Sequence, residues 1–330
     1  MPWAAVITLV IALPLAAIAF AAWYGLAVPG TAYRGPLPPE TAEERDSAAR
    51  LKGHVTAIAS VPHNLRHYAA LEAAASHIER TLESFGYTVD RQIFEVEGRP
   101  VRNIEATLEP SKQGSVEALV VGAHYDSFES APGANDNGTG VAAVLELARL
   151  LQDHRPQSRR IRFALFVNEE PPYYRTADMG SWRYAKQLSE RGDRVHGMLS
   201  FETIGYFSDK PGSQQYPAPF SMIYPSTGDF IAFVGLPASR GFLHEVIGSF
   251  RRHAAFPSIG GVAPDAIPGI GWSDHWAFRE FGYPAIMLTD TAPFRYPHYH
   301  LPSDTPDKID YSRLARITRG LERVLRELAD

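Results

Sequence analysis

The stretch ALVVGAHY, residues 118–125, constrains the fold more than any other part of the chain, because it is almost wholly apolar up to its histidine. A strand of this kind is buried on both faces, which is typical of parallel sheets that carry helices on both sides. A glycine-rich loop follows, and residues 141–151 then show the apolar spacing of a helix. The order strand, loop, helix predicts one unit of an α/β fold.

The same alternation continues along the rest of the chain. Strands are predicted at residues 87–96, 103–110, 160–170, 197–206, 230–235 and 284–291, and helices at residues 41–58, 68–85, 180–190, 239–253 and 311–329. We therefore predict a mixed, largely parallel central sheet flanked by helices on both faces. A single catalytic domain over residues 41–330 is expected, since a chain of 330 residues that is 45% hydrophobic can bury a core of that size.

The N-terminal segment differs from this domain because the first charged side chain is Arg34. Residues 4–26 form an apolar run that, at ~1.5 Å per residue in a helix, could cross a hydrocarbon core of ~30 Å. Trp3, Trp23 and Tyr24 lie near its two ends, as interfacial aromatic residues do. We predict a transmembrane anchor within residues 1–27, followed by a Pro/Gly-rich linker at residues 28–40.

A cleaved signal peptide is the alternative for this segment, since AFAA at residues 19–22 offers small residues for cleavage. No Lys or Arg precedes the apolar run, which favours an anchor that is retained. Large domains translocate largely regardless of the charges near them. We therefore expect a membrane-anchored protein with an extracytoplasmic catalytic domain, periplasmic or extracellular.

Composition excludes several classes of function. The chain has no cysteine, which rules out disulfides, a thiol nucleophile and cysteine-bound zinc. Its formal net charge is −5 and no long basic run is present, so nothing indicates a nucleic-acid partner. The oligomeric state is left open by the sequence.

Acidic and histidine residues recur where the predicted strands end. Ligands of α/β sheets gather at the carboxyl ends of the strands, so these side chains are expected to lie close together. Imidazole combined with carboxylate suits zinc well. The residues concerned are His124, Asp126, Asp136, Glu169, Glu170, Glu202 and His300.

Six ordered segments of the chain resemble the zinc-dependent aminopeptidase family with two co-catalytic metals, which also includes glutaminyl cyclases and glutamate carboxypeptidase. They are GAHYDS, GANDNGTGVAAVLELAR, FVNEE, SFETIGY, SDHWAF and YHLPSDTPDKID. The resemblance covers residues from about 55 to the C-terminus. It implies a metal-dependent exopeptidase, most simply an aminopeptidase acting on peptide substrates.

The resemblance also implies a set of metal ligands. His124, Asp136 and Glu202 would bind one Zn²⁺, and Asp136, Glu170 and His300 would bind the other, so that Asp136 bridges the two ions. The family often has Asp where Glu202 stands, which changes the reach of the side chain but not its chemistry. Manganese or cobalt could also be held by such ligands.

Three further residues receive roles from the same resemblance. Glu169 would act as general base, taking a proton from the attacking water and delivering it to the leaving amine. Asp126 would accept the free imidazole N–H of His124 and fix its tautomer. Tyr299 would stabilise the oxyanion. The peptide bond between Asp136 and residue 137 is expected to be cis.

Some alternatives stay open at this level. His298 lies two residues before His300 and competes with it as a ligand, although the YHLPSDT frame favours His300. A glutaminyl cyclase would use one zinc on the same scaffold. A carboxypeptidase-like enzyme would need a substrate-carboxylate site, for which Arg175 or Arg295 is the candidate. A catalytically inactive binding domain is disfavoured because all five candidate ligands are present.

Overall fold

The computed structural model describes residues 8–112, 114, 116–218 and 220–330. The described strands are β1 (Val89–Val96), β2 (Arg99–Leu108), β3 (Ala118–His124), β4 (Arg160–Phe166), β5 (Val195–Glu202), β6 (Ile231–Gly235), β7 (Ser258–Val262) and β8 (Ala285–Thr289). The described α-helices are α1 (Leu13–Leu26), α2 (Ala42–Ile58), α3 (Tyr68–Ser84), α4 (Gly140–Leu151), α5 (Gly180–Arg191), α6 (Arg240–His253), α7 (His275–Glu280) and α8 (Tyr311–Ala329).

The strands form one sheet in the order β1-β2-β4-β3-β5-β8-β6-β7. The four central strands, β4, β3, β5 and β8, are all parallel to one another. Antiparallel pairs join the outer strands to this central group and to each other, at β1–β2, β2–β4 and β6–β8. The predicted mixed, largely parallel sheet is thus confirmed.

Helices cover both faces of this sheet, and β3 shows why. Its residues are all buried, and successive side chains point to opposite faces. Leu119 and Val121 join the larger core, which is packed mainly with residues of α2, α3, α4, α6 and α8. Ala118 and Val120 join the smaller core with Phe166, α5 and α7. A strand between two cores has no polar face, which explains its unbroken apolar sequence.

Local sequence signals set the ends of the helices that carry this packing. At the start of α2, the Thr41 hydroxyl accepts a hydrogen bond from the Glu44 N–H while the Glu44 carboxylate accepts one from the Thr41 N–H. This reciprocal cap satisfies two N–H groups that the helix leaves free. Asp310 caps α8 in a similar way through the N–H of Arg313.

Within the described residues, the segment predicted as a transmembrane helix over residues 4–26 consists of two consecutive helical elements. Residues Thr8–Ala12 form a π-helical turn, and α1 follows it directly with 14 residues. No helix within the described residues is long and apolar enough to cross a membrane. The start of the predicted span, residues 1–7, lies outside the described part of the chain.

Residues 28–40, predicted as a linker, contact the α/β domain at several points. The Arg251 guanidinium donates to the carbonyl oxygens of Pro29 and Gly30 at 2.8 and 3.0 Å. Farther along, the Arg316 guanidinium donates to the carbonyl oxygen of Pro38 at 2.9 Å, and Leu37 packs against the larger core. The segment therefore lies along α6 and α8.

Candidate metal centre

The predicted ligands lie at one edge of the sheet because four neighbouring parallel strands end there. His124 is the last residue of β3 and Glu202 is the last residue of β5. Glu170 follows β4, and Asp136 lies with non-helical backbone in the segment Ala134–Thr139 that leads into α4. His300 comes from the segment after β8. The structure thus brings together residues that are far apart in sequence.

One group of side chains surrounds His124. Its Nε2 atom lies 3.4 Å from Oδ1 of Asp136 and 3.3 Å from Oε2 of Glu202. All three residues are buried, with at most 8% of any of them exposed. These are the side chains predicted to bind the first ion.

A second group surrounds His300, whose Nε2 atom lies 3.0 Å from Oδ2 of Asp136 and 3.4 Å from Oε2 of Glu170. Asp136 therefore turns one carboxylate oxygen towards each imidazole. Potential ligand atoms of His124, Asp136 and Glu170 also lie within 4.8 Å of one another. The two groups are joined by a single shared carboxylate.

The donor atoms of the centre fit a divalent cation. Among the residues that the structure describes, His124 Nε2 and Glu170 Oε1 are buried without a hydrogen-bond partner. Buried carboxylates without a compensating positive charge are costly, and such charges are ordinarily paired or bound to metals. Two imidazoles and three carboxylates are a donor set suited to zinc.

Burial changes the pKa values of these groups strongly. Burial and the neighbouring Asp136 raise the pKa of Glu202 to about 8 and raise that of Glu170 well above its usual range. Burial would raise the pKa of Asp136 as well, but the imidazoles of His124 and His300 outweigh burial and lower it. Burial would lower the pKa of His124, but Glu202 and Glu169 raise it. Protons and a cation therefore compete for the same atoms.

Glu169 occupies a different position from its neighbour Glu170. Its Oε2 atom lies 3.8 Å from Nε2 of His124, farther than the carboxylate oxygens of Asp136 and Glu202 at 3.4 and 3.3 Å. Burial, followed by the charge of Glu202, raises the pKa of Glu169 well above the usual value. A carboxylate with a raised pKa at the edge of a metal centre is suited to accept a proton and return it.

The predicted role of Asp126 as acceptor of the His124 imidazole N–H stays a prediction, with its carboxylate 3.5 Å from that ring. Nδ1 of His124 lies 3.1 Å from the main-chain carbonyl oxygen of Asp126, whereas the nearest carboxylate oxygen is 3.5 Å away. The carboxylate accepts the N–H groups of Glu169 and Glu170 at 3.0 and 3.1 Å. Two main-chain N–H donors are stronger partners for the buried carboxylate than one longer contact, so Asp126 positions the acidic pair.

Asp304 is a buried residue beside the candidate ligands that the sequence analysis did not single out. Its two carboxylate oxygens accept the N–H groups of Asn135 and Asp136 at 2.8 and 3.1 Å, and the Tyr296 hydroxyl donates to it at 2.7 Å. It is fully buried, and burial raises its pKa to about 7. The residue lies in the YHLPSDT segment, so its proximity to His300 was the available signal.

The His300 imidazole is held between two aromatic rings. Phe128 stacks on it at 4.0 Å between ring centroids and Tyr299 at 3.8 Å. His298 is directed elsewhere, since its Nδ1 atom lies 2.9 Å from the Ser303 hydroxyl. Of the two competing histidines, the structure places His300 against Asp136.

Burial and the nearby carboxylates, Asp136 first, raise the pKa of Tyr299 well above its usual value. Its hydroxyl therefore stays protonated at neutral pH and is able to donate a hydrogen bond. The ring also lines an apolar pocket next to Glu202. Tyr299 is thus placed where the centre meets the space available to a substrate.

The main chain around the centre has unusual conformations. The peptide bond between Asp136 and Asn137 is cis, as predicted. Positive φ angles occur at Asn168, Thr203 and His300, with values of 60°, 47° and 58°. These residues are at or next to candidate ligands or the candidate base, and strained backbone of this kind clusters at functional sites.

Both arginines considered for a substrate carboxylate are already engaged. The Arg175 guanidinium donates to Asp265 at 2.6 Å and lies 5.0 Å from the Trp276 ring. The buried Arg295 donates to Gln214 at 2.7 Å and to the carbonyl oxygen of Phe230 at 2.8 Å. Both guanidinium groups thus donate to acceptors of the protein itself.

Comparison with known proteins agrees with this geometry. Peptidase family M28 matches residues 103–325, so the chain belongs to peptidase family M28, as the sequence motifs predicted. Uncharacterized protein YfbL of Escherichia coli (strain K12) is 38% identical over 260 residues, which cover 76% of this chain and 78% of that protein. Aminopeptidase YwaD of Bacillus subtilis (strain 168) is 29% identical over 216 residues, but these cover 64% of this chain and only 41% of that protein.

Solved structures share the fold. The aminopeptidase from Aneurinibacillus sp. strain AM-1 has a TM-score of 0.67 and 17% identity, with coverage of 87% of this chain and 96% of that one. Fimbriiglobus ruber glutaminyl cyclase has a TM-score of 0.61 and 20% identity, with coverage of 91% and 99%. The chain is therefore a metallopeptidase-family protein with the mixed α/β fold found in both enzymes.

Proposed function

We propose that the protein is a metal-dependent aminopeptidase that holds two zinc ions and hydrolyses the N-terminal peptide bond of its substrates. The observation that carries the proposal is the position of Asp136, with one carboxylate oxygen near His124 and the other near His300. A single carboxylate shared by two histidine-containing groups is suited to bridge two cations. Relatives named as aminopeptidases support the choice of reaction.

His124, Asp136 and Glu202 would hold one ion, and Asp136, Glu170 and His300 the other. When bound, such ions polarise the scissile carbonyl and increase the acidity of water. The buried Glu169 takes a proton from the attacking water and transfers it to the leaving amine. Asp126 holds the main chain at Glu169, so it fixes the direction from which this base acts. Tyr299, which keeps its proton, donates a hydrogen bond to the oxygen that becomes negative.

Glutaminyl cyclase activity is a second candidate, because the fold is shared with enzymes of that name. The two reactions make different demands. A cyclase releases ammonia from an N-terminal glutamine without cleaving a peptide bond, whereas an aminopeptidase releases a free amino acid. The presence of both histidine groups around Asp136 favours the aminopeptidase.

The decisive experiment combines metal analysis with a matched pair of substrates. We expect about two equivalents of zinc per chain, and release of the first residue from a peptide with a free amino terminus. The same peptide with an acetylated terminus is the control and should not be hydrolysed. Ammonia release from a glutaminyl peptide with one zinc per chain would establish the cyclase, and cleavage of the acetylated peptide would contradict both.

We also propose that the apolar N-terminal segment holds the catalytic domain at a membrane on the extracytoplasmic side. In support, the large apolar side chains of α1, such as those of Leu15, Ile18 and Phe20, are 60–66% exposed to solvent. Exposed apolar surface of this extent is typical of interaction sites. Full-length protein should then stay with membranes after alkaline carbonate washing. Recovery of a soluble product trimmed near Ala22 would instead establish a cleaved signal peptide.

A further inference from the structure

An apolar pocket adjoins the metal centre, and part of its wall comes from the N-terminal helix. Glu202 and Tyr299 lie where the pocket meets the centre. Tyr224 lines it from the segment between β5 and β6, and Val262 from the end of β7. The remaining wall includes Leu26, the last residue of α1. A segment predicted as a membrane anchor therefore reaches the space beside the candidate ligands.

The end of α1 is fixed against the domain by close main-chain contacts. A side-chain carbon on Gly25 would lie 2.7 Å from the carbonyl oxygen of Val262, and one on Gly261 would lie 2.7 Å from that of Gly25. These distances are too short for any residue with a Cβ atom, so the two glycines allow the helix end and β7 to touch. Leu26 is thereby held at a defined position.

An arginine of α6 strengthens this attachment. The Arg240 guanidinium donates to the carbonyl oxygen of Tyr24 at 2.8 Å and lies 4.5 Å from the centre of the Tyr24 ring. The carbonyl oxygen belongs to the last turn of α1, where a positive charge is favoured. Val28, just beyond the helix, packs against the larger core. The residues on both sides of Leu26 are thus tied to the catalytic domain.

We infer that Leu26 is a specificity-determining residue, which limits the size of the substrate side chain that enters the apolar pocket next to the metal centre. The inference rests on the proposed aminopeptidase function. Leu26 lies well before residue 103, where the match to the M28 family begins. This part of the pocket wall comes from the N-terminal segment, outside the residues that the family model matches.

The expected effects follow from pocket volume. One methylene more or less in an apolar pocket changes kcat/KM by about 10- to 200-fold. Truncation in Leu26→Ala should enlarge the pocket and raise kcat/KM for phenylalanyl relative to leucyl p-nitroanilide by about tenfold or more. Leu26→Trp should fill the pocket and favour the alanyl substrate over the leucyl one. Leu15→Ala, on an exposed part of the same helix, is the matched control and should change neither ratio.

The test uses the full chain, purified in detergent, with these three variants and the wild type assayed on the three substrates. Ratios of kcat/KM between substrates that shift in the two Leu26 variants, but not in Leu15→Ala, would support the inference. Unchanged ratios in both, with wild-type hydrolysis intact, would overturn the inference and leave the proposed function standing.

A second measurement does not depend on activity. Because the chain has no cysteine, Leu26→Cys and Leu15→Cys each introduce a single thiol. 3-Methylbutanol, an apolar probe with the leucine side-chain shape, should slow maleimide labelling of the thiol at position 26 but not of that at position 15. Equal labelling of the thiol at position 26 with and without the probe would overturn the inference, whether or not the wild type is active. Failure of the wild type to hydrolyse any of the substrates would separately refute the aminopeptidase proposal.

Discussion

Replacing Glu169 by glutamine should lower kcat strongly while leaving the metal content unchanged. Glutamine keeps the size and hydrogen-bonding reach of the side chain but cannot accept the proton. A positioned general base contributes ~10²–10⁴ to the rate, which corresponds to about 3–5 kcal/mol of the barrier at 1.36 kcal/mol per factor of ten. We therefore expect kcat to fall by at least two orders of magnitude with little change in KM.

The structure also predicts that the fold tolerates Glu169→Gln. The residue is 7% exposed, and its carboxylate lies near Glu202 in a cluster of buried acids. Burial raises its pKa, so the ionised form is disfavoured in the folded protein. A neutral glutamine matches the charge state that burial favours, and the main-chain N–H bound by Asp126 is unaffected. The melting temperature should stay at or above that of the wild type.

Glu170→Gln is the matched comparison, because the two residues are adjacent and the exchange is the same. Glu170 lies 3.4 Å from His300 and belongs to the close group of potential ligands, so the variant should lose zinc together with activity. Zinc content by mass spectrometry, melting temperature and steady-state kinetics separate the two effects. Equal zinc loss in both variants, or near-normal turnover in Glu169→Gln, would refute the assignment of the base.

Other perturbations test the centre more broadly. Asp136→Ala removes the shared carboxylate and should lose both ions and lower the melting temperature, since bound metal contributes to folding free energy. His300→Ala should lose about one equivalent of zinc; loss in His298→Ala instead would reverse the choice between the two histidines. In metal-stripped protein, burial raises the pKa of Glu202 from 4.5 to about 8, so the folded state holds a proton that the unfolded state releases. Its thermal stability should therefore fall as the pH rises from 5 to 8, and added zinc should reverse this trend. Asp304→Asn leaves a buried main-chain N–H without its acceptor and should cost about 1–3 kcal/mol of unfolding free energy.

Long, strongly patterned elements were predictable from sequence. The strand at residues 118–124 and the helix Tyr311–Ala329 lie where their apolar patterns placed them. The strand Ser258–Val262 was missed because it has five residues, two of them glycine, and no regular alternation of its own. The helix His275–Glu280 was also missed, since six residues are too few to show a helical period. Such elements form only because neighbouring strands and helices support them.

The candidate ligands were predictable because the ends of parallel strands must meet, but the contacts that orient them were not. Asp126 accepts N–H groups 43 and 44 residues later in the chain, and Asp304 accepts N–H groups 169 and 168 residues earlier. In each case one buried carboxylate binds two consecutive main-chain N–H groups beside a candidate ligand. No local sequence pattern identifies a hydrogen-bond partner at such separations. The motif therefore indicated a role for Asp126 beside the candidate ligands but not which main-chain groups its carboxylate binds.

These two carboxylates explain how a centre rich in negative charge keeps a fixed geometry. Asp126 holds the main chain at Glu169 and Glu170, and Asp304 holds it at Asp136. Side chains that repel one another would otherwise move apart, since like charges at short range in a buried site are unfavourable. Hydrogen bonds from main-chain N–H groups to a carboxylate are charge-assisted and strong, and they act on the backbone rather than on the ligand atoms. The ligand oxygens therefore stay free for a cation, while the backbone that carries them is prevented from relaxing away from it.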